Sequence, residues 1–270
     1  MFGAVFGDVI GSYYELEGTK NYDFELHRES TFTDDTVLTV AVCKAILENP
    51  KNITGLKLWD RAREYAAQYK LYYSRYPCAG FGQMFTLWAK DSGFTKVPSY
   101  GNGAAMRVVP IGFAYDDINQ VMLQAKASCL YTHNNKEAIK GAQSVAAAVF
   151  MARKGSRKEE IRSFVQKTFG YDLSYTIDEI REDYCFEIRC DTSVPQAIVA
   201  FLDSYDYESA VRNAISLGGD SDTQATIAGG IAQAYYQEIP KHLSDFCLSR
   251  IDGTLKDVIR EFEGKYLSNN

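Results

Sequence analysis

The chain has 270 residues, of which 46% are hydrophobic and 24% are charged. This composition is that of a globular protein and excludes a disordered or fibrous chain. Its 29 Lys and Arg residues against 35 Asp and Glu residues give a net charge of −6, which argues against broad nucleic-acid binding and against attraction to an anionic membrane.

Apolar residues recur at intervals of three and four along most of the chain, which predicts helices. The run 37–48 is apolar nearly all round, as expected for a central buried helix. Segment 184–188 is the best candidate for a strand. We therefore expect an all-α fold with a single domain over residues 1–270. Further helices are predicted over residues 55–73, 79–90, 104–114, 117–130, 137–153, 158–168, 193–203, 206–217, 223–237 and 255–267.

The cysteines and the N-terminus favour a cytoplasmic protein. Six cysteines are scattered without a C-x-x-C pair, so a zinc knuckle or a thioredoxin-type motif is absent. Residues 1–8 lack the basic segment of a signal peptide, and no stretch approaches the roughly 18 apolar residues that a membrane helix needs. We expect reduced thiols, no membrane partner and a monomer.

Two acidic clusters, 33–36 and 220–223, stand at the starts of two apolar helices. Either cluster alone is explained by helix capping, because Thr and Asp accept hydrogen bonds from the first N–H groups. Together they hold four carboxylates, which would repel one another if buried unless cations neutralised them. Ligands that are oxygen atoms only favour a hard cation, with Mg²⁺ the default. Four carboxylates and two hydroxyls suffice for two ions about 3.5–4 Å apart.

A third acidic element lies near the N-terminus, where Asp8 and Glu15 are seven residues apart. On a continuous helix this spacing places both side chains on one face. The alternative, which composition alone favours, is a helix that packs through Gly7 and Gly11 and leaves Glu15 exposed at its end.

Five short motifs follow one another between residue 3 and about residue 240. They are Gly7-Asp8-x-x-Gly11-x-x-x-Glu15, Thr33-Asp34-Asp35-Thr36, Ser99-Tyr100-Gly101-Asn102-Gly103-Ala104-Ala105-Met106-Arg107, Thr132-His133 and Gly218-Gly219-Asp220-Ser221-Asp222-Thr223. Their combination and order resemble the ADP-ribosylglycohydrolase family, which includes dinitrogenase-reductase-activating glycohydrolases and ADP-ribosyl-acceptor hydrolases. The resemblance implies a compact orthogonal multi-helix bundle.

The resemblance also implies a site with two Mg²⁺ ions, for which Mn²⁺ is a substitute. In the family the metals hold the distal ribose of ADP-ribose, and an acidic residue that corresponds to Glu15 lies beside the scissile bond. The catalytic residues that it implies are Glu15, Asp34, Asp35 and Asp222. The metal ligands that it implies are Thr33, Asp34, Asp35, Asp220, Asp222 and Thr223.

The rest of ADP-ribose is expected at the glycine-rich stretch 99–107. Small residues before a helix expose backbone N–H groups, which bind a diphosphate, and Arg107 is expected to brace the helix. By resemblance, Phe94 stacks on adenine, with Tyr100 as an alternative, and His133 lies on the phosphate side. The residues implied to bind ADP-ribose are Phe94, Ser99, Tyr100, Gly101, Asn102, Gly103 and His133.

The function implied is Mg²⁺-dependent hydrolysis of the C1″ glycosidic bond of ADP-ribose. The partner is an ADP-ribosylated protein, poly(ADP-ribose) or a small ADP-ribosyl compound, and O-linked serine is favoured over arginine as the acceptor. Asn135 and Gln224 depart from common family patterns, which leaves the leaving group open. The main alternative is a non-catalytic or structural relative that binds ADP-ribose. An isoprenoid cyclase lacks support because no D-D-x-x-D occurs, and a P-loop enzyme because no Walker motif occurs.

Overall fold

The computed structural model describes residues 1–267, and within that range the chain forms helices and no strand. The prediction of an all-α fold is confirmed. The α-helices of this range are α1 (Phe2–Glu17), α2 (Asp34–Glu48), α3 (Leu58–Arg75), α4 (Gln83–Lys90), α5 (Val109–Ala114), α6 (Ile118–Cys129), α7 (Lys136–Arg153), α8 (Lys158–Phe169), α9 (Ile177–Ile180), α10 (Cys190–Leu202), α11 (Tyr207–Ile215), α12 (Ser221–Tyr236), α13 (Lys241–Leu248) and α14 (Gly253–Tyr266).

Helices α1 and α12 form the most extensive helix pair and position the site. Gly7 and Gly11 of α1 make this close approach possible. A Cβ at Gly7 would lie 2.1 Å from the Ala225 carbonyl oxygen, and one at Gly11 would lie 2.6 Å from Asp222 Cα. Because no side chain larger than hydrogen fits at either position, the glycines bring the C-terminal half of α1 beside the start of α12.

The remaining helices surround this pair and bury its apolar faces. Helices α10 and α11 pack on α12, α7 packs on α5, α6, α10 and α12, and α2 packs on α3 and α14. The buried side chains of these helices form one core cluster. Between residues 1 and 267, no helix is both long and apolar enough to cross a membrane.

Several helix boundaries differ from the prediction. Helix α2 starts at Asp34, so the first acidic pair lies inside its first turn. The helix expected over 104–114 begins only at Val109, after a 3₁₀ turn, Asn102–Ala104, so Arg107 lies in a turn. The short helices α9 and α13 were not predicted.

The predicted strand at 184–188 is wrong. The segment is irregular, and the neighbouring Arg189 forms only an isolated antiparallel bridge with Gly101. The Asn102 N–H donates to the Ile188 carbonyl (2.7 Å), and the Cys190 N–H donates to the Tyr100 carbonyl (3.0 Å). The segment therefore ties down the glycine-rich loop instead of joining a sheet.

Candidate active site

The first acidic cluster is presented by the N-terminus of α2. Thr33 is the N-cap, and its hydroxyl oxygen accepts a hydrogen bond from the Asp35 N–H (3.2 Å). Capping therefore occurs as expected, but the Thr33 hydroxyl serves the Asp35 N–H, and the carboxylates of Asp34 and Asp35 are not needed for this bond. Asp35 is 2% exposed, whereas Asp34 is half-buried. Both side chains line a cavity of about 330 Å³.

Asp8 holds this helix start in place, a role that the sequence did not reveal. Its Oδ2 accepts hydrogen bonds from the N–H groups of Thr33 (2.9 Å) and Thr36 (3.1 Å). Its two oxygens also accept from both threonine hydroxyls, at 2.7 Å for Thr33. Asp8 is fully buried and does not line the cavity. From this buried position outside the cavity wall, Asp8 orients Thr33 and the first turn of α2.

The second acidic cluster is presented by the N-terminus of α12. Asp220, Asp222 and Thr223 are all buried and line the same cavity. The Asp222 Oδ1 accepts a hydrogen bond from the Thr223 N–H (2.8 Å), and the Thr223 hydroxyl donates to the Asp35 Oδ2 (3.3 Å). This last contact joins the two clusters, although 188 residues separate them in sequence.

Glu15 joins the same group from the last turn of α1. Carboxylate oxygens of Glu15, Asp220 and Asp222 lie within 4.8 Å of one another. Glu15 is partly exposed and also lines the cavity. Helix α1 does pack through Gly7 and Gly11, as the alternative in the sequence analysis expected. The close approach to α12 that these glycines allow nevertheless places Glu15 beside Asp222.

The electrostatics of this acidic end are unfavourable for the protein alone. Burial, followed by repulsion from Asp222, raises the pKa of Asp8 and that of Glu15 to about 7. The same two causes raise the pKa values of Asp34, Asp35 and Asp220 well above their usual range. Carboxylates with these pKa values favour either protonation or a bound cation.

The donor set fits a hard divalent cation. It consists of carboxylate and hydroxyl oxygens, without Cys or His among the proposed ligands. The buried Asp35 Oδ1 has no hydrogen-bond partner among the described residues, so a ligating oxygen is available where both clusters meet. Buried polar atoms are rarely left unpaired in folded proteins. An acidic site able to hold metal is thus present.

Another part of the cavity wall is formed by the glycine-rich loop. Ser99, Gly101, Asn102 and Gly103 line it, whereas Tyr100 is 50% exposed and points its ring to the Arg189 guanidinium (5.1 Å from ring centroid to Cζ). The Asn102 side-chain amide donates to Asp220 Oδ2 (2.7 Å), which links the loop to the acidic end.

The N–H groups of this loop are less available than the sequence suggested. The Gly101 N–H donates to the Ser99 hydroxyl (3.2 Å), and the Asn102 N–H is bonded to Ile188. Gly103 faces the imidazole, since a Cβ there would lie 3.3 Å from His133 Nε2. The loop therefore allows a ligand to approach its backbone closely, but the polar contacts to that ligand must come from neighbouring side chains.

His133, Thr132 and Arg107 complete this wall. All three are buried and line the cavity. Burial, and then the Arg107 charge, lowers the pKa of His133 well below its usual range, so the imidazole is neutral. Arg107 is the only Lys or Arg in the wall among the described residues. Neither Arg107 nor Thr132 was expected to contact substrate from sequence.

The aromatic residues are placed differently from the expectation. Phe94 does not line the cavity but packs edge-on against Tyr131 (5.5 Å between ring centroids), with the Arg63 guanidinium 4.9 Å from its ring. Phe85 and Trp88 of α4 do line the cavity. The assignment of Phe94 to adenine stacking, with Tyr100 as the alternative, stays a prediction, and α4 supplies two further candidates that sequence did not indicate.

Known proteins are similar to this chain in sequence. Residues 1–268 match the family model described as ADP-ribosylglycohydrolase. The chain is 28% identical to the ADP-ribosylhydrolase ARH3 of Homo sapiens, over 91% of this chain and 87% of that protein. It is 27% identical to the ADP-ribosylarginine hydrolase Tri1 of Pseudomonas putida, over 50% of this chain and 38% of that protein.

A solved structure has the same fold. The ADP-ribosylglycohydrolase-related protein complex superposes with a TM-score of 0.73 at 21% identity, covering 100% of this chain and 96% of that chain. The fold, the converging acidic residues and the match along nearly the whole sequence lead to one conclusion. This chain belongs to the ADP-ribosylglycohydrolase family and is a glycohydrolase that acts on ADP-ribosyl bonds.

Proposed function

We propose that the protein is a Mg²⁺-dependent hydrolase that cleaves the C1″ glycosidic bond of ADP-ribose attached to a protein side chain. The observation that carries this proposal is the polarity of one cavity. Its acidic end gathers Glu15 with residues 34–35 and 220–223, and its other end carries the glycine-rich loop, a neutral His133 and a buried Arg107. A ligand with a diol at one end and a diphosphate further along matches this distribution of charge.

The acidic end is proposed to hold two Mg²⁺ ions, with Mn²⁺ as a substitute. When bound, Mg²⁺ supplies positive charge that offsets the carboxylates and fixes the hydroxyls of the distal ribose. The protein itself holds the proposed ligands in place through three hydrogen bonds. The Thr33 hydroxyl accepts from the Asp35 N–H, Asp8 accepts from the Thr33 hydroxyl, and the Thr223 hydroxyl donates to Asp35. The proposed ligands are Thr33, Asp34, Asp35, Asp220, Asp222 and Thr223.

Glu15 is proposed as the group beside the reacting bond. It is the partly exposed member of the acidic trio, while Asp220 and Asp222 are buried, so its carboxylate faces the side from which an acceptor arrives. A carboxylate there can accept a proton from the attacking water and stabilise positive charge on the ribose in the transition state.

The acceptor is proposed to be O-linked serine. Three motifs support this choice, namely Glu15, Phe94 and the loop 99–103, which resemble those of hydrolases of serine-linked ADP-ribose. The ARH3 relative also matches a larger share of this chain than the arginine hydrolase does. Poly(ADP-ribose) and small ADP-ribosyl compounds are the other substrate classes proposed. We further propose a cytoplasmic monomer.

The test measures free ADP-ribose released from three substrates, carrying a serine linkage, an arginine linkage or poly(ADP-ribose). Each is incubated with Mg²⁺, with Mn²⁺ and with EDTA. We expect release from the serine-linked substrate that EDTA abolishes and Mn²⁺ partly restores. Faster release from the arginine-linked substrate would refute the acceptor, and undiminished release in EDTA would refute the role of metal. Absence of any release alongside ADP-ribose binding would instead indicate a non-catalytic relative.

A further inference from the structure

The guanidinium of Arg107 is an unusual group to find in the wall of a cavity. Its side chain is fully buried, and none of its hydrogen bonds within residues 1–267 is to a carboxylate. Its Nε and Nη1 have no hydrogen-bond partner among the described residues. A buried cation without a carboxylate is costly, so a purely structural role explains its presence poorly. Packing against the Tyr69 ring, 4.3 Å from Cζ to the centroid, offsets only part of that cost.

The Nη2 of Arg107 begins a chain of hydrogen bonds that ends at His133. Nη2 donates to the Ser128 carbonyl (3.2 Å) and to the Thr132 hydroxyl oxygen (2.6 Å), and it lies 3.4 Å from His133 Nδ1. The Thr132 hydroxyl lies 2.8 Å from the same Nδ1. Arginine has no lone pair to offer and can only donate. Since the Thr132 oxygen already accepts from Arg107, its own hydrogen is free to be donated to Nδ1.

The Arg107 guanidinium can only donate, so its contact with Nδ1 favours an Nδ1 that carries the lone pair, and the Thr132 hydroxyl can then donate to the same atom. In a neutral imidazole the proton must then be on Nε2. Nε2 faces the glycine-rich loop, since a Cβ added at Gly103 would lie 3.3 Å from it and one at Gly101 would lie 3.8 Å from it. The N–H consequently points to the glycine-rich loop that lines the cavity.

We infer that Arg107 and Thr132 are positioning residues that fix His133 as the Nε2–H tautomer, so that a neutral imidazole donates a hydrogen bond to an anionic oxygen of the substrate. The ligand class is the diphosphate of ADP-ribose, and this part of the inference rests on the proposed function. Arg107 acts twice in this arrangement. It sets the position of the proton through Nη2, and its uncompensated charge favours an anion in the same end of the cavity.

The first test reads the tautomer directly and needs no ligand. The protein is labelled with ¹⁵N-histidine, and long-range proton–nitrogen correlation spectra are recorded near neutral pH. The chain has three histidines, and His27→Asn and His242→Asn variants assign the other two signals. We expect His133 to show a protonated Nε2 and an unprotonated Nδ1. A protonated Nδ1 in the wild-type protein overturns the inference.

The second test uses a matched pair of substitutions at the middle of the chain. Thr132→Val keeps the shape of the side chain but removes the closer donor, which leaves Nδ1 with only the 3.4 Å contact. Thr132→Ser keeps the hydroxyl. We expect the valine variant to show a mixture of tautomers and an ADP-ribose Kd raised about threefold to tenfold, the effect of one hydrogen bond. The serine variant should keep the wild-type spectrum and Kd.

Calorimetric titration of Mg²⁺ with the same variants separates this end of the cavity from the acidic end. The Mg²⁺ affinity of Thr132→Val should equal that of the wild-type protein. In activity assays, the fractional fall in kcat of this variant should be smaller than the fractional rise in KM. If Thr132→Val changes Kd without changing the tautomer, Thr132 acts only through packing and the inference is wrong. If wild-type protein shows the expected tautomer but binds no ADP-ribose, the proposed function fails and the tautomer assignment stands.

Discussion

At one end of the cavity five carboxylates converge from α1, α2 and the start of α12; at the other end a buried guanidinium and a neutral imidazole stand beside a glycine-rich loop. The carboxylates raise one another's pKa values, and at least one oxygen, Asp35 Oδ1, has no partner among the described residues. The groups at the other end are joined by directed hydrogen bonds. The carboxylates of the acidic end therefore need a bound cation if all of them are to be ionised. The groups at the other end are already held in an arrangement that suits an anion.

The most severe way to break the acidic end is to remove a ligand. Asp222→Ala should lower kcat/KM by at least about 100-fold, the loss that follows even from disturbing the outer partners of metal ligands. The protein should remain folded, because loss of the Asp222 charge relieves the repulsion of its neighbours. The measurement is ADP-ribose release at saturating Mg²⁺, with circular dichroism as a check on the fold. Activity within twofold of wild type would exclude Asp222 as a ligand.

Glu15→Gln should have the next largest effect. The amide keeps the size of the side chain but cannot accept a proton from water, so we expect kcat to fall about 100-fold, a typical value for the loss of a general base. Binding of ADP-ribose measured by calorimetry should change little, because the group acts in the transition state. Loss of binding with an unchanged single-turnover rate would show that Glu15 positions the substrate instead.

Asp8→Asn tests whether the acidic end depends on the hydrogen bonds that Asp8 accepts from Thr33 and Thr36. The variant keeps one acceptor oxygen and introduces an NH₂ group toward the Thr33 and Thr36 donors, so one of the four hydrogen bonds is lost if the NH₂ replaces Oδ1 and three are lost if it replaces Oδ2. We expect Mg²⁺ affinity to fall about 10–100-fold, as for other groups that orient metal ligands. The matched control is Thr39→Val, which alters a buried hydroxyl of α2 that makes only a 3.5 Å contact with a carbonyl. Equal Mg²⁺ affinity in both variants would contradict the role of Asp8.

The two acidic clusters were predictable from sequence because their signal is local. Thr-Asp-Asp and Asp-Ser-Asp-Thr each precede an apolar helix, and both helices formed where expected. Asp8 carries no such signal, since its function depends on how α1 crosses the start of α2. Arg107 was assigned to a helix that in fact begins at Val109, which concealed its place in the cavity wall.

The failed strand prediction has a similar physical origin. Residues 184–188 are rich in aromatic and β-branched side chains, but a strand needs a partner, and this segment meets only a single turn of the glycine-rich loop. The helix α13 was missed for the opposite reason. Of its eight residues, Leu243 and Cys247 alone are buried, so the apolar periodicity is too short to detect.

Repulsion at the acidic end predicts how stability depends on pH. Asp8 and Glu15 have folded pKa values of about 7, above the value near 4 of an unfolded carboxylate. The folded state binds more protons in this window, so the free energy of unfolding of metal-free protein should fall as pH rises from about 4 to 7. Thermal unfolding in EDTA should show a Tm that decreases across this range. Added Mg²⁺ should raise the Tm more at pH 7.5 than at pH 5.

Asp222→Asn is the matched variant for this experiment. It keeps an oxygen that accepts from the Thr223 N–H. It removes a negative charge, and for Asp8, Asp34 and Asp35 that charge is the strongest source of repulsion. In EDTA at pH 7.5 we expect a Tm above that of wild type, by about 2–4 °C for each 1 kcal/mol gained. A lower Tm would mean that the carboxylates do not strain the metal-free protein.

The smallest effect separates the two aromatic candidates for adenine beside the anion-binding end. Phe85 lines the cavity and stacks on Phe81 (5.1 Å between centroids), whereas the Phe94 ring already contacts Tyr131 and Arg63 and lies outside the wall. Phe85→Leu should raise the ADP-ribose Kd about twofold to tenfold, because a stacked ring contributes about 0.5–1.5 kcal/mol. Phe94→Leu should change it less. If the order is reversed, adenine reaches past the wall to Phe94, as the sequence resemblance implied.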